Sequence, residues 1–334
     1  SSQSLKRAMR KSEYYGNELG HPSTRTAILI NQYAKDLKEQ YSDRSNDIEK
    51  ICLYIAALIE GKTKPADLKK YKRNDKGEIK TQVLAWNSNE KDLLKKLIIS
   101  ALEKSDEELI PFLKTYVKSI DVNLKQNLER DIALSGRMVT GAIDSIDASL
   151  AVAHAITTHT VDGDIDWFTA VDDLNQETGE TGSAHLDTTE FSSGVFYRYA
   201  SLNIRQLQEN LGDINRTQVL DIASHVLHLL ATVVPSAKQN AFAAFNLADF
   251  AMVSFSDQPI SLANAFENPV KANREGLLIP SINAFTDYHK TICQTYNLND
   301  DPQAYFSTKE CKMENSKKCN DFSALKEWLK NDGK

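Results

Sequence analysis

The clearest pattern of charged side chains lies in the first residues of the chain. Gln3, Lys6, Arg7 and Arg10 follow the spacing i, i+3, i+4 and i+7, which places one amide and three cations on one face of a predicted helix. The apolar residues of this segment fall on the opposite face, namely Leu5, Ala8 and Met9. Because phosphate oxygens accept hydrogen bonds from cations and from the free amides at a helix start, the polar face could follow a nucleic-acid backbone. A solvated amphipathic helix would show the same spacing.

Three aspartates near the middle of the chain suggest a metal site, but the residues around them do not support one. Asp162, Asp164 and Asp166 have the spacing of the first three ligands in an EF-hand calcium loop. Trp167 stands at the sixth position, where the sharp turn of that loop needs glycine, and Asp173 replaces the usual glutamate at the twelfth. We therefore expect an acidic, solvated loop with no bound metal.

The other candidates for chemistry are weak. Two histidine pairs lack the partners of a zinc site. His154 and His159 are expected to be helical core or surface residues, and His225 and His228 are expected to make core or partner contacts. The segment GETGS is not followed by the lysine of a phosphate loop. The sequence has no Gly-x-Ser-x-Gly elbow, and no cysteine stands in a nucleophile motif. We expect a protein that is not an enzyme and uses no cofactor.

The distribution of charge matters more than its sum. A net charge of −6 argues against a nucleic-acid binder, because such domains are usually basic. However, residues 162–190 contain nine acids and no Lys or Arg, so the rest of the chain carries +3 and can form a basic surface. The four cysteines show no CxxC pairing, and no apolar run resembles a signal peptide or a membrane span. These features indicate a cytoplasmic protein with no membrane partner.

The elements that must position these residues follow from the periodicity of the sequence. Residues 24–128 show apolar residues at three- and four-residue spacing, which predicts successive helices. Residues 131–157 are small and compatible with β-structure, and residues 158–193 form a long polar acidic loop region. The remaining predicted elements are a strand at GVFYRYASLNI, helices near 203–211 and 216–233, a strand at FAMVSFSD, a helix near 281–296, a short strand at AYFS and a helix at FSALKEWLKN. Strands interleaved with helices around long insertions indicate an α+β core.

Several long strings resemble a known family. They are SSQSLKRAMRKS at 1–12, DIALSGRM at 131–138, VAHAITTHTVDGDIDWFTAVDDL at 152–174, GSAHLDTTEFSSGVFYRYASLNIRQLQENLG at 182–212 and AAFNLADFAMVSFSDQPISLANAFENPVKA at 243–272. These strings are similar to CasC, the crRNA-binding backbone subunit of the type I-E CRISPR Cascade complex. The resemblance covers nearly the whole chain and is weak through residues 21–125 and the last thirty residues.

The resemblance implies a hand-shaped α+β protein. In that family, a palm built on an RNA-recognition-motif-like sheet carries a helical fingers insertion and a long thumb loop. The expected boundaries in this chain are a palm helix at 1–20, helical fingers at 21–128, palm at 129–157, thumb at 158–193, and palm with C-terminal helices at 194–334. The family also has a palm strand and a basic hairpin before the segment that corresponds to residues 1–12, and neither is in this sequence.

The resemblance also assigns roles to individual residues. The crRNA groove would be lined by Ser1, Gln3, Lys6, Arg7, Arg10 and Lys271, with Met138 pressing against bases. The thumb would contact nucleotides or wedge into the guide–target duplex through Trp167, Phe168, Thr169, Val171 and Leu186. A fingers helix would attract the incoming target DNA through Lys91, Lys95 and Lys96. A loop without Lys or Arg cannot hold RNA by charge, but its apolar side chains can unstack bases.

The implied function is that of a non-catalytic backbone subunit in antiviral defence. It would polymerise along the guide RNA and support the pairing of guide and target. Its partners would be crRNA, target DNA, copies of itself, and the large, small, 5'-handle-binding and crRNA-processing subunits of Cascade. Two alternatives stay open. One is a related CRISPR backbone subunit that cuts target RNA with a thumb aspartate and a metal, which the aspartates at 162–173 suggest; the other is a general single-strand RNA binder.

Overall fold

Helices and short strands alternate along the chain. The computed structural model describes residues 1–62, 64–124, 128–139, 143, 145–171, 183–298 and 301–334. The fold over these residues is α+β, which confirms that part of the prediction. No helix within these ranges is both long enough and apolar enough to cross a membrane.

Two short helices open the chain and meet at a serine. α1 (Ser2–Lys11) is capped by Ser1, whose hydroxyl accepts a hydrogen bond from the backbone amide of Ser4. α2 (Glu13–Leu19) is capped by Ser12 in the same way. Such caps satisfy amides that a helix start would otherwise leave without partners. The predicted apolar face of α1 is confirmed, since two of its members are buried: Leu5 and Met9.

A helical block with its own core follows. Its helices are α3 (Leu29–Gln40), α4 (Ser45–Ile59), α5 (Pro65–Lys70), α6 (Ser88–Ala101) and α7 (Asp106–Leu124), with a 3-10 turn at Ser42–Arg44. Two short antiparallel strands, β1 (Thr24–Thr26) and β2 (Leu84–Trp86), pair beside these helices. The buried faces form one hydrophobic cluster that includes Ile30, Ile48, Ile55, Leu97 and Leu113. The helical character predicted for residues 24–128 is therefore confirmed for α3 to α7, whereas the segments at 24–26 and 84–86 form strands.

A second cluster joins α1 and α2 to the middle of the chain. Its elements are α8 (Arg130–Ser135), β3 (Leu150–Val152), β8 (Ala200–Leu202), α9 (Ile204–Asn210) and α10 (Arg216–Thr232). β3 and β8 pair antiparallel. The cluster includes Leu5, Leu150, Leu207, Val219 and Leu229, so the first helix is packed on elements that lie far away in the sequence.

The last part of the chain adds a small mixed sheet. β10 (Gln303–Ser307) pairs antiparallel with β9 (Phe250–Ser254) and parallel with β11 (Lys317–Lys318). The helices of this part are α11 (Gln239–Phe242), α12 (Leu278–Tyr296) and α13 (Phe322–Lys330). α13 packs on α10 through a cluster that contains Leu220, Leu325 and Trp328.

The thumb region contains a hairpin where the sequence predicted a loop. β5 (Asp164–Val171) and β6 (Ser183–Phe191) pair antiparallel. The prediction was wrong here because the density of acids hid the alternation of Asp164, Ile165, Asp166 and Trp167, which has the two-residue period of a strand.

Two further predictions need correction. Residues 130–135 form a helix, although the segment from 131 was predicted to be compatible with β-structure. The strand predicted at 194–204 is split into β7 (Phe196–Tyr197) and β8, because the two halves have different partners. β7 pairs with β4 (Ile156–Thr157), and β8 pairs with β3. The described strands form two-stranded sheets and one three-stranded sheet, so an RNA-recognition-motif-like palm is not confirmed and stays a prediction.

Candidate nucleic-acid interface

The predicted polar face of α1 divides into two pairs of side chains. Gln3 and Arg7 are exposed. Lys6 and Arg10 are partly buried and have protein partners: the Lys6 ammonium donates to the Leu150 carbonyl (3.1 Å) and the Arg10 guanidinium to the Ser23 carbonyl (3.2 Å). On this face, Gln3 and Arg7 are accessible to a ligand, whereas Lys6 and Arg10 already bond to other parts of the protein.

A buried carboxylate holds the end of this face. The Asp131 side chain is 1% exposed and lies 4.0 Å from the Arg10 guanidinium. It also accepts hydrogen bonds from the amide (2.9 Å) and the hydroxyl (2.6 Å) of Ser23. Arg10, Ser23 and Asp131 thus join α1, the approach to β1 and the start of α8, which fixes where the cations of α1 lie.

Arg25 joins this surface, although sequence reasoning missed it. It is exposed in β1, two residues after Ser23. Burial and the charge of Arg25 lower the pKa of the Lys6 ammonium and of the Arg10 guanidinium. In the sequence, the available indication of a role for Arg25 was its position between two threonines, just after Ser23. Like charges held this close repel one another, and a bound polyanion would relieve the repulsion.

The side chain of Met138 projects from a loop into solvent. It is 87% exposed. Arg137 and Ile146 exchange both backbone hydrogen bonds just before it (2.9 and 2.8 Å), and the Ser145 hydroxyl contacts the backbone of Val139 just after it (3.0 Å). An exposed methionine on a fixed backbone is suited to contact the face of a base. Residues 140–142 and 144, within the same loop, lie outside the described residues.

The thumb hairpin presents apolar side chains to solvent. Trp167 is 65% and Phe168 44% exposed, and as neighbours in β5 they point to opposite faces. Such exposure does not fit a tryptophan that anchors the thumb on its own palm. Thr169 and Leu186 pair in register, and a bulge lies between Ala170 and Val171. For Thr169, Val171 and Leu186 the structure describes the backbone but not the side chains, so their predicted roles stay predictions.

A second exposed apolar segment adjoins the thumb. The Phe242 ring, at the end of α11, lies 6.2 Å from the ring of Phe191, the last residue of β6. Phe245 and Leu247 follow and are strongly exposed. Phe245 and Leu247 lie in the string at 243–272 that carried the resemblance, but no role was predicted for them. Together they extend the apolar surface of the thumb to its base.

Hydrogen bonds at the root of the thumb place Lys271 nearby. The Thr158 amide donates to the Val195 carbonyl (3.0 Å), and the Thr158 carbonyl accepts from the Val270 amide (2.9 Å). His159 is buried beside them, and its Nε2 accepts from the Val195 amide (3.1 Å). Lys271 is exposed next to Val270. This predicted lysine therefore lies beside the root of the thumb.

The three lysines of α6 differ in their surroundings. The Lys91 ammonium donates to the Thr24 hydroxyl of β1 (3.1 Å). Lys95 is partly buried and Lys96 is exposed. The opposite face of this helix packs into the core of the helical block, since Leu94, Leu97 and Ile98 are buried and Leu93 packs against them. Lys96 is the member best placed to meet a ligand, and Lys91 lies next to the strand that carries Arg25.

Neither the aspartates nor the histidines form a metal site within the described residues. No group of three or more His, Cys, Asp or Glu there could hold an ion. Asp164 and Asp166 lie in an extended strand, which does not have the tight turn of a calcium loop. Asp173 lies outside the described residues.

The second histidine pair serves packing. Tyr14 bonds the His225 Nδ1 (2.8 Å) and stacks on the His228 ring (centroids 3.8 Å apart). Burial lowers the pKa of both histidines, although Asp221 and Glu18 oppose this at His225. These contacts join α2 to α10, which agrees with the core contact predicted for the pair.

Solved structures with a similar fold include chains from two complexes. One, described as a "CRISPR RNA-guided surveillance complex, pre-nicking", has a TM-score of 0.77 and 24% identity, covering 100% of this chain and 90% of the other. Another, described as a "CRISPR RNA-guided surveillance complex", has a TM-score of 0.56 and 28% identity, covering 66% of this chain and 82% of the other. No curated protein matches the chain.

The family model gives the assignment. The model of the "CT1975-like protein" family matches residues 1–331, which is nearly the full length of the sequence. The chain therefore belongs to the CT1975-like protein family.

Proposed function

We propose that the protein is a non-catalytic, crRNA-binding backbone subunit of a type I-E CRISPR surveillance complex. The observation that carries the proposal is the cluster of cations formed by Lys6, Arg7 and Arg10 of α1 with Arg25 of β1. One buried carboxylate, Asp131, opposes them. A phosphate backbone supplies the further negative charge that such a surface favours.

The thumb complements this surface by a different physical effect. Its acids repel phosphates, and its exposed side chains at Ile165, Trp167 and Phe168 are apolar or aromatic. Such side chains stack on bases or separate them without reading sequence. With Met138, they would hold the guide RNA in place while its bases stay available for pairing with target DNA.

The proposed setting is a cytoplasmic ribonucleoprotein. Both of the similar chains named above come from CRISPR RNA-guided surveillance complexes, which supports an assembly on guide RNA. The proposed partners are crRNA, target DNA, copies of this chain and the other Cascade subunits. In this setting the α6 lysines attract duplex DNA weakly before pairing begins, with Lys96 as the main contributor.

One experiment tests both assembly and the absence of catalysis. The protein is assembled on guide RNAs of increasing length and weighed by mass photometry; we expect copies to be added stepwise as the RNA lengthens. The complex is then incubated with complementary RNA and Mg²⁺. Uncut RNA is the expected result, whereas regularly spaced cuts would favour the alternative in which a thumb aspartate acts with a metal.

A further inference from the structure

The residue that precedes Met138 takes part in a buried ion pair. The guanidinium of Arg137 donates to the Glu90 carboxylate, and the two side chains are 2% and 0% exposed. The same guanidinium donates to the carbonyl of Ala85 in β2 (3.3 Å). Burying two charges is costly even when they are paired, so such pairs contribute little net stability and are best known for fixing a register.

Glu90 has a fixed place because its carboxylate also caps α6. Its second oxygen accepts a hydrogen bond from the Asn87 amide (2.7 Å), within a reciprocal capping box at the start of the helix. The anion is thus held by the first turn of α6, the helix that carries Lys91, Lys95 and Lys96.

Arg137 has an equally defined backbone. It pairs with Ile146, and Gly136 precedes it with φ +74°. A Cβ at Gly136 would lie 2.8 Å from the Ile146 carbonyl oxygen, so a larger residue would displace the loop. In extended backbone, successive side chains point to opposite sides. When Arg137 points inward to Glu90, its neighbour Met138 must point outward.

The ion pair excludes the neighbouring register of this loop. A slip by one residue would turn Arg137 to solvent, bring Met138 inward and leave the Glu90 carboxylate buried without its cation. An apolar pair at the same place would tolerate that slip far better, because Met138 could replace another apolar side chain.

We propose that Arg137 is a positioning residue, which through its buried pair with Glu90 sets the outward direction of Met138 and ties it to the start of the fingers helix α6. The proposal rests on the proposed function, in which Met138 contacts the bases of a guide RNA. Arg137 itself touches no nucleotide; it acts through Met138.

A double-mutant cycle on the full chain tests this proposal. The variants are Arg137→Lys, Met138→Ala and their combination. The probe is a single-stranded guide RNA with 2-aminopurine at successive positions, whose fluorescence rises where a base is unstacked. Arg137→Lys keeps a cation beside Glu90 but loses the planar two-partner geometry, which makes it the mildest change that alters position.

We expect both single variants to reduce the 2-aminopurine signal at the same positions by about threefold, and the double variant to reduce it no further. The salt dependence of RNA binding should stay at the parent value, because the phosphate contacts of α1 are untouched. A residue with a merely structural role would instead give losses that multiply in the double variant.

Other outcomes overturn the proposal at distinct levels. A parent protein that binds no RNA overturns the proposed function together with this inference. If Met138→Ala or Arg137→Lys gives the same 2-aminopurine fluorescence as the parent protein, the positioning role is overturned while RNA binding stands. If Arg137→Lys does not fold, Glu90→Gln replaces it, since its amide oxygen can still cap α6, and the same cycle and criteria apply.

Discussion

Removing the two exposed arginines of the cation cluster should change how RNA binding depends on salt. The perturbation is the double variant Arg7→Ala and Arg25→Ala. Both side chains are exposed, so their loss should leave the free energy of unfolding within about 0.5 kcal/mol of the parent value. Lys6 and Arg10 are less suitable, because their partners Leu150 and Ser23 would lose hydrogen bonds.

The expected magnitude follows from counterion release. Each phosphate contact to a single strand contributes about 0.7 to the slope of log affinity against log salt, so two contacts contribute about 1.4. Between about 50 and about 200 mM salt, the affinity of the parent should therefore fall about sevenfold more than that of the double variant. At low salt the variant should bind more weakly, and the difference should narrow as salt rises.

Fluorescence anisotropy with a labelled single-stranded RNA measures both quantities across a salt series. Lys309→Ala is the matched control, since it removes an exposed cation from the segment after β10, outside the cluster. Its slope should equal that of the parent. A double variant whose slope also equals that of the parent would refute the reasoning and leave Arg7 and Arg25 as solvated surface.

The other predictions concern stability, the thumb and the fingers. Asp131→Asn should lower the free energy of unfolding by about 2 kcal/mol in urea titration, because the hydrogen bonds from Ser23 lose their charged acceptor. Trp167→Ala should weaken target DNA binding but leave the melting temperature unchanged; a large drop in melting temperature would show instead that Trp167 anchors the thumb on the rest of the protein. Lys96→Ala should slow association with duplex target DNA at low salt in stopped flow, without changing guide RNA affinity. Acidification from about pH 7 to about pH 5 should destabilise the protein, because burial places the folded-state pKa of His225 below its unfolded value and the unfolded chain then binds more protons; equal unfolding midpoints at both pH values would contradict this.

Local periodicity predicted much of the fold. The helices at 2–11, 204–210, 216–232 and 322–330 follow from apolar spacing, and the strand at 250–254 follows from its β-branched and aromatic content. Such signals depend on residues within one turn or one strand, which a sequence displays directly.

The thumb strands were missed for a physical reason. Ile165 and Trp167 alternate with aspartates, so the segment has the period of a strand and the composition of a solvated loop. The composition predicted a loop and the period predicted a strand, and the period was correct. Pairing between β5 and β6 supplies hydrogen-bond partners for the backbone amides and carbonyls, so the strands form without a buried apolar face.

The candidate site was only partly predictable. The α1 cations stand next to one another in the sequence, and the spacing of a helix brings them together. Arg25 joins them through the Arg10–Ser23–Asp131 contacts, and Glu90 meets Arg137 across 47 residues. No local pattern marks such partners, since the tertiary fold alone brings them into contact.

The most direct test of a guide-RNA-binding role is the identity of the RNA that the protein holds in its own cells. The protein is isolated under native conditions, and the bound RNA is sequenced to both ends. The proposed function predicts RNAs of uniform length, whose ends derive from CRISPR repeats and flank variable spacers. Bound RNAs without repeat-derived ends would contradict it and identify a general single-strand RNA binder.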